Sequence, residues 1–122
     1  MARKHTPDQI VIRNLTVHAH IGVPDEERQT PQRLTVSLVM EPKLDFWAMN
    51  DDIRNTIDYA AVCEAVKTIA AARPRKLIET LAEEIASELL ANFPIWRLTL
   101  ELHKYILPDT EYVAVRIDRP VP

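Results

Sequence analysis

The sequence predicts an α+β fold in which a four-stranded antiparallel sheet carries two helices on one face, in the order ββααββ. Two observations support this prediction. Apolar and polar residues alternate near both ends of the chain, as they do in strands that bury one face. Between about residues 59 and 92 the apolar residues recur at helical spacing instead. The 122 residues fit one domain, predicted over 10–119 after an N-terminal extension of residues 1–9.

The first strand is predicted from Ile10 to Ile21. Its apolar residues change phase around Arg13 and Asn14, which indicates a β-bulge or a change of packing partner. The strand ends at Gly22, the only glycine in the chain. Glycine adopts backbone angles that other residues avoid, so a sharp exit from the strand is expected there. The polar segment 24–31 is then predicted to be a loop.

The second strand is predicted over 32–41, and the third and fourth strands lie near the C-terminus. In each strand apolar and polar positions alternate, so one face is expected to be buried. The apolar positions are Leu34, Val36, Leu38 and Met40, then Trp96, Leu98, Leu100 and Leu102, and finally Val113, Val115 and Ile117. The polar positions of the second strand are Arg33, Thr35 and Ser37.

Two helices are predicted between the strand pairs. The first runs from about Tyr59 to Ala72, with Asp58 or Thr56 as its N-cap. It ends before Pro74, because proline disfavours a helical conformation in the residue that precedes it. The second runs from about Leu77 to Asn92. The helices can cover only one face of the sheet, and its edges carry few residues that discourage pairing. Association of subunits through strand edges is therefore predicted.

The composition indicates a soluble protein without an electrostatic site for nucleic acid. The net charge is −3 and the isoelectric point is about 5.8. The short basic run Arg73, Arg75 and Lys76 is predicted to be a solvated connector. No apolar segment approaches the roughly 18 residues that a membrane span needs, and residues 1–9 lead into a strand rather than a signal-peptide apolar region. A cytoplasmic location is predicted.

The cysteine and histidine residues indicate no metal site. Cys63, the only cysteine, is interpreted as a small core residue of the first helix, in keeping with a reducing compartment. His18 and His20 lie two apart on one strand face, a spacing that could bind a metal with a third ligand. The alternative, two polar residues on a solvent or interface face, is favoured.

Four polar residues at the ends of elements are candidates for chemistry, and each also has a structural interpretation. Glu27 belongs to a charged run after the glycine, and Tyr59 could anchor an interface. Glu79 could complement the dipole of the second helix. Lys104 could protect an edge strand. From spacing alone the structural interpretations are favoured.

Four segments in order resemble the signature of the dihydroneopterin aldolase family. They are residues 21–28 (IGVPDEER) with Gln32, residues 51–53 (DDI) followed by 55–59 (NTIDY), residues 77–86 (LIETLAEEIA), and His103-Lys104. The resemblance runs from about Ile10 to Arg119. It implies a tunnelling fold whose subunits join edge to edge into a tetrameric β-barrel ring, two of which commonly stack into an octamer. Active sites in that family lie between adjacent subunits.

The resemblance also implies an activity, the retro-aldol cleavage of 7,8-dihydroneopterin in folate biosynthesis without metal, cofactor or Schiff base. Glu79 is similar to the glutamate that anchors the pterin, and the backbone near Ile78 shares in that binding. Glu27 resembles the residue near the hydroxylated side chain of the substrate. Tyr59 resembles a proton-shuttling tyrosine, and Lys104 resembles the lysine that acts as acid and base.

The sequence departs from the family after Lys104, where many members have proline and this chain has Tyr105. This loop is expected to lie beside the site. Two alternatives to the aldolase remain open. One is an epimerase of dihydroneopterin or its triphosphate, which would call for a cationic patch such as Arg73, Arg75 and Lys76. The other is a non-catalytic barrel that binds a pterin or purine.

Overall fold

The computed structural model describes residues 7–122 and has the predicted order ββααββ. The strands are β1 (Ile10–Ala19), β2 (Gln32–Pro42), β3 (Ile95–Lys104) and β4 (Val113–Pro120), and the helices are α1 (Tyr59–Ala71) and α2 (Ile78–Asn92). The predicted N-terminal extension lies outside the described residues up to residue 6, and residues 7–9 precede β1 without regular structure. A helix capable of spanning a bilayer does not occur among residues 7–122.

The four strands form one antiparallel sheet in the order β1-β2-β3-β4, so β1 and β4 are its edges. The register of β1 against β2 shifts between Ile12 and Leu15. Asn14 has a φ of 58° there, and its N–H donates a hydrogen bond to Ser37 Oγ at 2.9 Å. The change of apolar phase in the sequence is therefore a β-bulge.

Both helices pack on one face of the sheet and complete the core. Asp58 caps α1 by accepting a hydrogen bond from Ala61 N–H at 3.1 Å. The fully buried positions include the predicted set of β2, most of that of β3, and residues at helical spacing in α1 and α2. They are Leu34, Val36, Leu38, Met40, Val62, Val66, Leu81, Ile85, Leu89, Leu98, Leu100 and Leu102. Each such side chain contributes about 1.5–3 kcal/mol by leaving water.

The structure corrects three predictions about burial. Trp96 is exposed, because a register shift at the end of β2 places Ile95 in the core instead. Val113 is exposed at the start of β4. Cys63 is only partly buried on α1, although this burial still raises the pKa of its thiol. The predicted burial of the other apolar positions of β4 is confirmed in part, since Val115 and Ile117 are half-buried.

One strand boundary also differs from the prediction. β1 ends at Ala19 rather than Ile21, because the backbone of Ile21 forms a parallel bridge with Arg75 instead of continuing the β1–β2 ladder. The segment 24–31 contains a 3-10 turn, Asp25–Gln29, within the predicted loop. Gly22 has a φ of +148°, which confirms the sharp exit predicted at that position.

Candidate active site

Two of the predicted site residues, Glu27 and Lys104, form an ion pair at one end of the sheet. Nζ of Lys104 lies 2.7 Å from Oε2 of Glu27, and the two side chains are only 13% and 20% exposed. Lys104 ends β3 opposite Leu34 and Val113, near the starts of β2 and β4. We call this the Lys104 end of the sheet. Because β3 lies between β2 and β4, the interpretation of Lys104 as an edge-strand residue is wrong.

The loop that carries Glu27 is held together by Arg28. Its guanidinium donates hydrogen bonds to the carbonyl oxygens of Gly22 at 2.7 Å and Val23 at 2.8 Å, and it pairs with Asp25. The Nδ1 atom of His20 donates to the Arg28 carbonyl oxygen at 2.8 Å. The loop therefore has a defined shape although it contains little regular structure.

Gly22 and Gln32 determine where the Glu27 carboxylate lies. A Cβ atom at position 22 would overlap that carboxyl group. Gln32 Nε2 donates to Glu27 Oε2 at 2.8 Å and to the Ile21 carbonyl oxygen at 2.6 Å. Gln32 belongs to the segments that resemble the family signature, but the sequence alone assigns it no role. Its place at the first position of β2, just after the Glu27 loop, was the available signal.

The partners of Glu27 favour its ionised form. The hydrogen bond from Lys104 is the main cause that lowers the pKa of Glu27, and the hydrogen bond from Gln32 lowers it further, while partial burial opposes both. The site therefore holds a carboxylate and a proton donor in contact.

We expect this ion pair to make the stability of the protein depend on pH. Because the pKa of Glu27 is lowered in the folded state, its contribution is complete above the ordinary carboxyl pKa and is lost as the pH falls through the lowered value. The wild type should therefore melt at a higher temperature than Glu27→Gln at about pH 7. The two melting temperatures should converge as the pH is lowered to about 3. Glu26→Gln, at an exposed neighbouring position, is the control. A difference that stays constant over this range would contradict the expectation.

Ile78 and Glu79 begin α2 at the same end of the molecule. The bridge between Ile21 and Arg75, with a hydrogen bond from Gly22 N–H to the Arg75 carbonyl oxygen at 3.1 Å, joins the loop before α2 to the Glu27 loop. Ile78 is buried and Glu79 is exposed. Within residues 7–122 the Glu79 carboxylate has no hydrogen bond or ion pair. It is therefore available to a ligand.

Tyr59 lies away from this cluster. The Arg75 guanidinium donates to the carbonyl oxygens of Ile69 and Ala70, so the last turn of α1 is at the Lys104 end. The 13 residues of α1, at about 1.5 Å each, place its first residue about 20 Å further along the helix. Tyr59, which is 63% exposed, therefore does not meet Lys104 within one subunit.

The basic run before α2 is not the solvated connector that the sequence predicted. Arg75 is 5% exposed, and its guanidinium lies 2.6 Å from the Glu84 carboxylate. It also donates to the carbonyl oxygen of Arg73, which contacts Glu84 as well. These two arginines connect α1 to α2, and only Lys76 of the run remains exposed without such a partner in the described chain.

The two histidines of the first strand have different surroundings. His18 is exposed on β1, whereas His20 follows the strand and binds the Arg28 carbonyl oxygen. No group of three histidine, cysteine or acidic residues between positions 7 and 122 is placed to hold a metal ion.

An open groove runs beside Glu27, the carboxylate partner of Lys104. Its lining residues are Glu27, Thr30, Gln32, Arg33, Tyr105 and Ile106. Two of them belong to the loop that follows Lys104. This places the unusual loop beside the candidate site, as the sequence predicted.

Comparison with known proteins identifies chains with the same organisation. The family model for FolB, dihydroneopterin aldolase, matches residues 10–118. The dihydroneopterin aldolase of Bacillus subtilis is 36% identical over 119 residues, which cover 92% of this chain and 97% of that protein. A FolB structure from Vibrio cholerae superimposes with a TM-score of 0.90 at 33% identity, covering 95% of this chain and 99% of its own. Escherichia coli dihydroneopterin aldolase in complex with neopterin has a TM-score of 0.85 at 31% identity, with 92% and 98% covered.

Proposed function

This chain belongs to the dihydroneopterin aldolase family and is an aldolase of folate biosynthesis, and we propose that its Glu27–Lys104 pair serves the cleavage step. The substrate is 7,8-dihydroneopterin, and the products are 6-hydroxymethyl-7,8-dihydropterin and glycolaldehyde. The proposal rests on the 2.7 Å contact between Lys104, a proton donor, and Glu27, a carboxylate that lines an open groove.

The reaction requires one proton to be taken and one to be returned. A base removes the proton of the side-chain hydroxyl group, the adjacent carbon–carbon bond breaks, and glycolaldehyde leaves. The electrons of that bond enter the C=N bond of the dihydropterin ring, and an acid then protonates the carbon that remains. Lys104 is proposed as the acid and base, with Glu27 next to the hydroxylated side chain. The ring accepts the electrons, so no Schiff base with Lys104 is required.

Glu79 is proposed to bind the pterin ring. A pterin presents an amino group and a ring N–H side by side, and one carboxylate can accept a hydrogen bond from each. Within the described chain the Glu79 carboxylate has no hydrogen bond or ion pair. It lies in the first turn of α2, at the Lys104 end. The backbone near Ile78 is proposed to share in this contact. The neopterin complex of the Escherichia coli aldolase supports a pterin ligand.

Tyr59 is proposed to act from a neighbouring subunit. It lies about 20 Å from the end of α1 that adjoins the Lys104 end, so it can shuttle a proton there only if another copy brings it. The subunits can associate through the edge strands β1 and β4. Pairing β1 of one subunit with β4 of the next would close the sheets into a ring. The proposed assembly is a tetrameric ring, two of which stack into an octamer.

The activity is tested by incubating the protein with 7,8-dihydroneopterin and measuring glycolaldehyde. Release of glycolaldehyde supports the aldolase. Inversion of the side-chain carbinol without glycolaldehyde would identify the epimerase instead, and a parallel incubation with the triphosphate would show its preferred substrate. Binding of the hydroxymethyl product with neither reaction would identify a non-catalytic barrel.

The assembly leads to a direct prediction. Light scattering at micromolar concentration should give four or eight times the mass of one 14.0 kDa subunit. Coexpressed Tyr59→Phe and Lys104→Ala subunits, each impaired alone, should form mixed rings in which about a quarter of the sites are intact. Glu27→Ala with Lys104→Ala is the control and should recover nothing, because these residues lie in one subunit. A monomeric mass would contradict both the ring and the shared site.

A second prediction concerns chelation and trapping. Since the dihydropterin ring accepts the electrons, activity should survive exhaustive treatment with EDTA, and borohydride should not inactivate the enzyme in the presence of substrate. Both are measured as residual glycolaldehyde release. Loss of activity on chelation, restored by zinc, would instead point to His18 and His20 as metal ligands.

The cytoplasm is proposed as the place of the reaction. Cys63 is the only cysteine and has no partner for an internal disulfide. Partial burial raises the pKa of its thiol, which disfavours the reactive thiolate. An unpaired, unreactive thiol is typical of a protein that works in a reducing compartment.

A further inference from the structure

The residue that follows Lys104 is attached to the opposite face of the sheet. Tyr105 Oη lies 2.8 Å from Oγ1 of Thr35, a β2 residue that is 4% exposed. The guanidinium carbon of Arg33 lies 4.4 Å from the centre of the Tyr105 ring. Arg33 and Thr35 belong to the polar face of β2, away from the helices. Tyr105 is therefore fixed to the sheet by its side chain at the point where the β3 ladder ends.

The residue that precedes Lys104 is held on the same face. The ring of His103 stacks on that of Tyr112 at 3.9 Å with an interplanar angle of 5°, and its Nε2 lies 2.6 Å from Oε1 of Glu101. The Tyr105 ring meets both of these rings edge-on, with centroids 6.5 and 6.3 Å away. Two neighbours thus hold the backbone of Lys104 from one face, and the pleat of the strand directs its side chain to the other, toward Glu27.

We propose that Tyr105 is a positioning residue for Lys104, whose hydrogen bond to Thr35 keeps the end of β3 in the conformation that places the lysine on Glu27. This inference rests on the proposed role of the Glu27–Lys104 pair.

The loop after Lys104 cannot by itself hold the end of β3 in this conformation. Ile106 and Leu107 are 46% and 50% exposed, and among the described residues 105–112 the hydrogen bonds within the loop join only Thr110 to Leu107. A segment with so few buried contacts opens readily, and a strand end next to it frays unless it is held. In this chain a tyrosine supplies the attachment at the position where many family members have proline.

The expected consequence is a loss of rate with little loss of binding. A displacement of a catalytic group by about 1 Å can cost up to about a hundredfold in rate. Removal of one hydrogen bond loosens the lysine without deleting it, so Tyr105→Phe should slow single-turnover cleavage by about tenfold. Affinity for the hydroxymethyl product, measured by calorimetry, should change by less than about twofold, since the pterin is held elsewhere.

Variants of the partner distinguish the hydrogen bond from other effects of the substitution. Thr35→Val should slow cleavage as Tyr105→Phe does, and the double variant should be no slower than either, because all three remove the same contact. Thr35→Ser keeps the hydroxyl group and should remain near the wild-type rate. Tyr112→Phe is the matched control, since within the described residues the Tyr112 hydroxyl has no hydrogen bond.

The pH dependence of kcat/KM provides a further test. It would not change if Tyr105 only stabilised the fold. Loosening the lysine weakens the hydrogen bond that lowers the pKa of Glu27. The acidic limb of kcat/KM should therefore lie at higher pH in Tyr105→Phe and Thr35→Val than in Thr35→Ser.

Four outcomes would overturn the inference. Three are wild-type cleavage by Tyr105→Phe, additive losses in the double variant, and equal slowing by Thr35→Ser and Thr35→Val. The fourth is a parallel fall in rate, product affinity and melting temperature, which would show that Tyr105 only stabilises the fold. If the wild-type protein releases no glycolaldehyde, the proposed function fails. If Lys104→Ala is slow while Tyr105→Phe is fully active, only the role of Tyr105 fails.

Discussion

Replacing Lys104 by alanine is expected to slow the cleavage of dihydroneopterin by about a hundredfold or more. A group that moves protons contributes mainly when bonds change, so the loss should appear in the chemical step. Affinity for the hydroxymethyl product should change little, because Glu79 rather than Lys104 is proposed to hold the pterin. Single-turnover cleavage and product binding by calorimetry measure the two effects separately.

Two further measurements support this test. Lys43→Ala removes an exposed lysine just past the other end of β2 and should leave the rate unchanged. The Lys104→Ala variant should still unfold in one cooperative transition, because Lys104 ends β3 rather than filling the core. Cleavage by Lys104→Ala at a rate near that of the wild type would show that the proposed mechanism is wrong.

Replacing Glu79 by alanine is expected to act on binding instead. Two charge-assisted hydrogen bonds to a buried ligand are worth about 2–4 kcal/mol. At about 1.4 kcal/mol for each tenfold change, Glu79→Ala should weaken pterin binding by roughly 30- to 700-fold. The contact exists in the ground and transition states alike, so turnover at saturating substrate should change much less.

The control for this prediction lies on the same helix. Glu88 is exposed toward the end of α2, far from the Lys104 end, and Glu88→Ala should bind the pterin product as the wild type does. Calorimetry with 6-hydroxymethyl-7,8-dihydropterin measures both variants. If Glu79→Ala bound the product normally and cleaved slowly, Glu79 would belong to the chemistry rather than to the recognition of the ring.

Much of the fold was predictable because periodicity reports which side of an element is buried. The alternation in β2, the helical stripes and the bulge near Asn14 all follow from that rule. The errors lie where contacts from distant residues compete with the local pattern. Ile21 leaves the β1–β2 ladder because Arg75 offers it a backbone partner, and a register shift moves Ile95 rather than Trp96 into the core.

The candidate site was predictable only in part. The resemblance selected Glu27, Tyr59, Ile78, Glu79 and Lys104, but spacing alone favoured a structural interpretation of each polar residue. The contact between Glu27 and Lys104 joins a loop near the start of the chain to the end of β3, and no local pattern encodes such a distance. The same holds for the burial of Arg75, which depends on Glu84 in the next helix.

The sequence by itself determined the order of the elements, the buried faces and the chemical types available to the site, because propensity and hydrophobic period are local properties of the chain. The tertiary structure decided which of those side chains meet. Sheet register brings Lys104 to Glu27, and the length of α1 places Tyr59 about 20 Å from the end of that helix that lies near this pair. The attachment of Tyr105 to Thr35 also depends on the register of β2 against β3. Pairing between strands places residues in contact that are remote in sequence, and this requires the folded sheet.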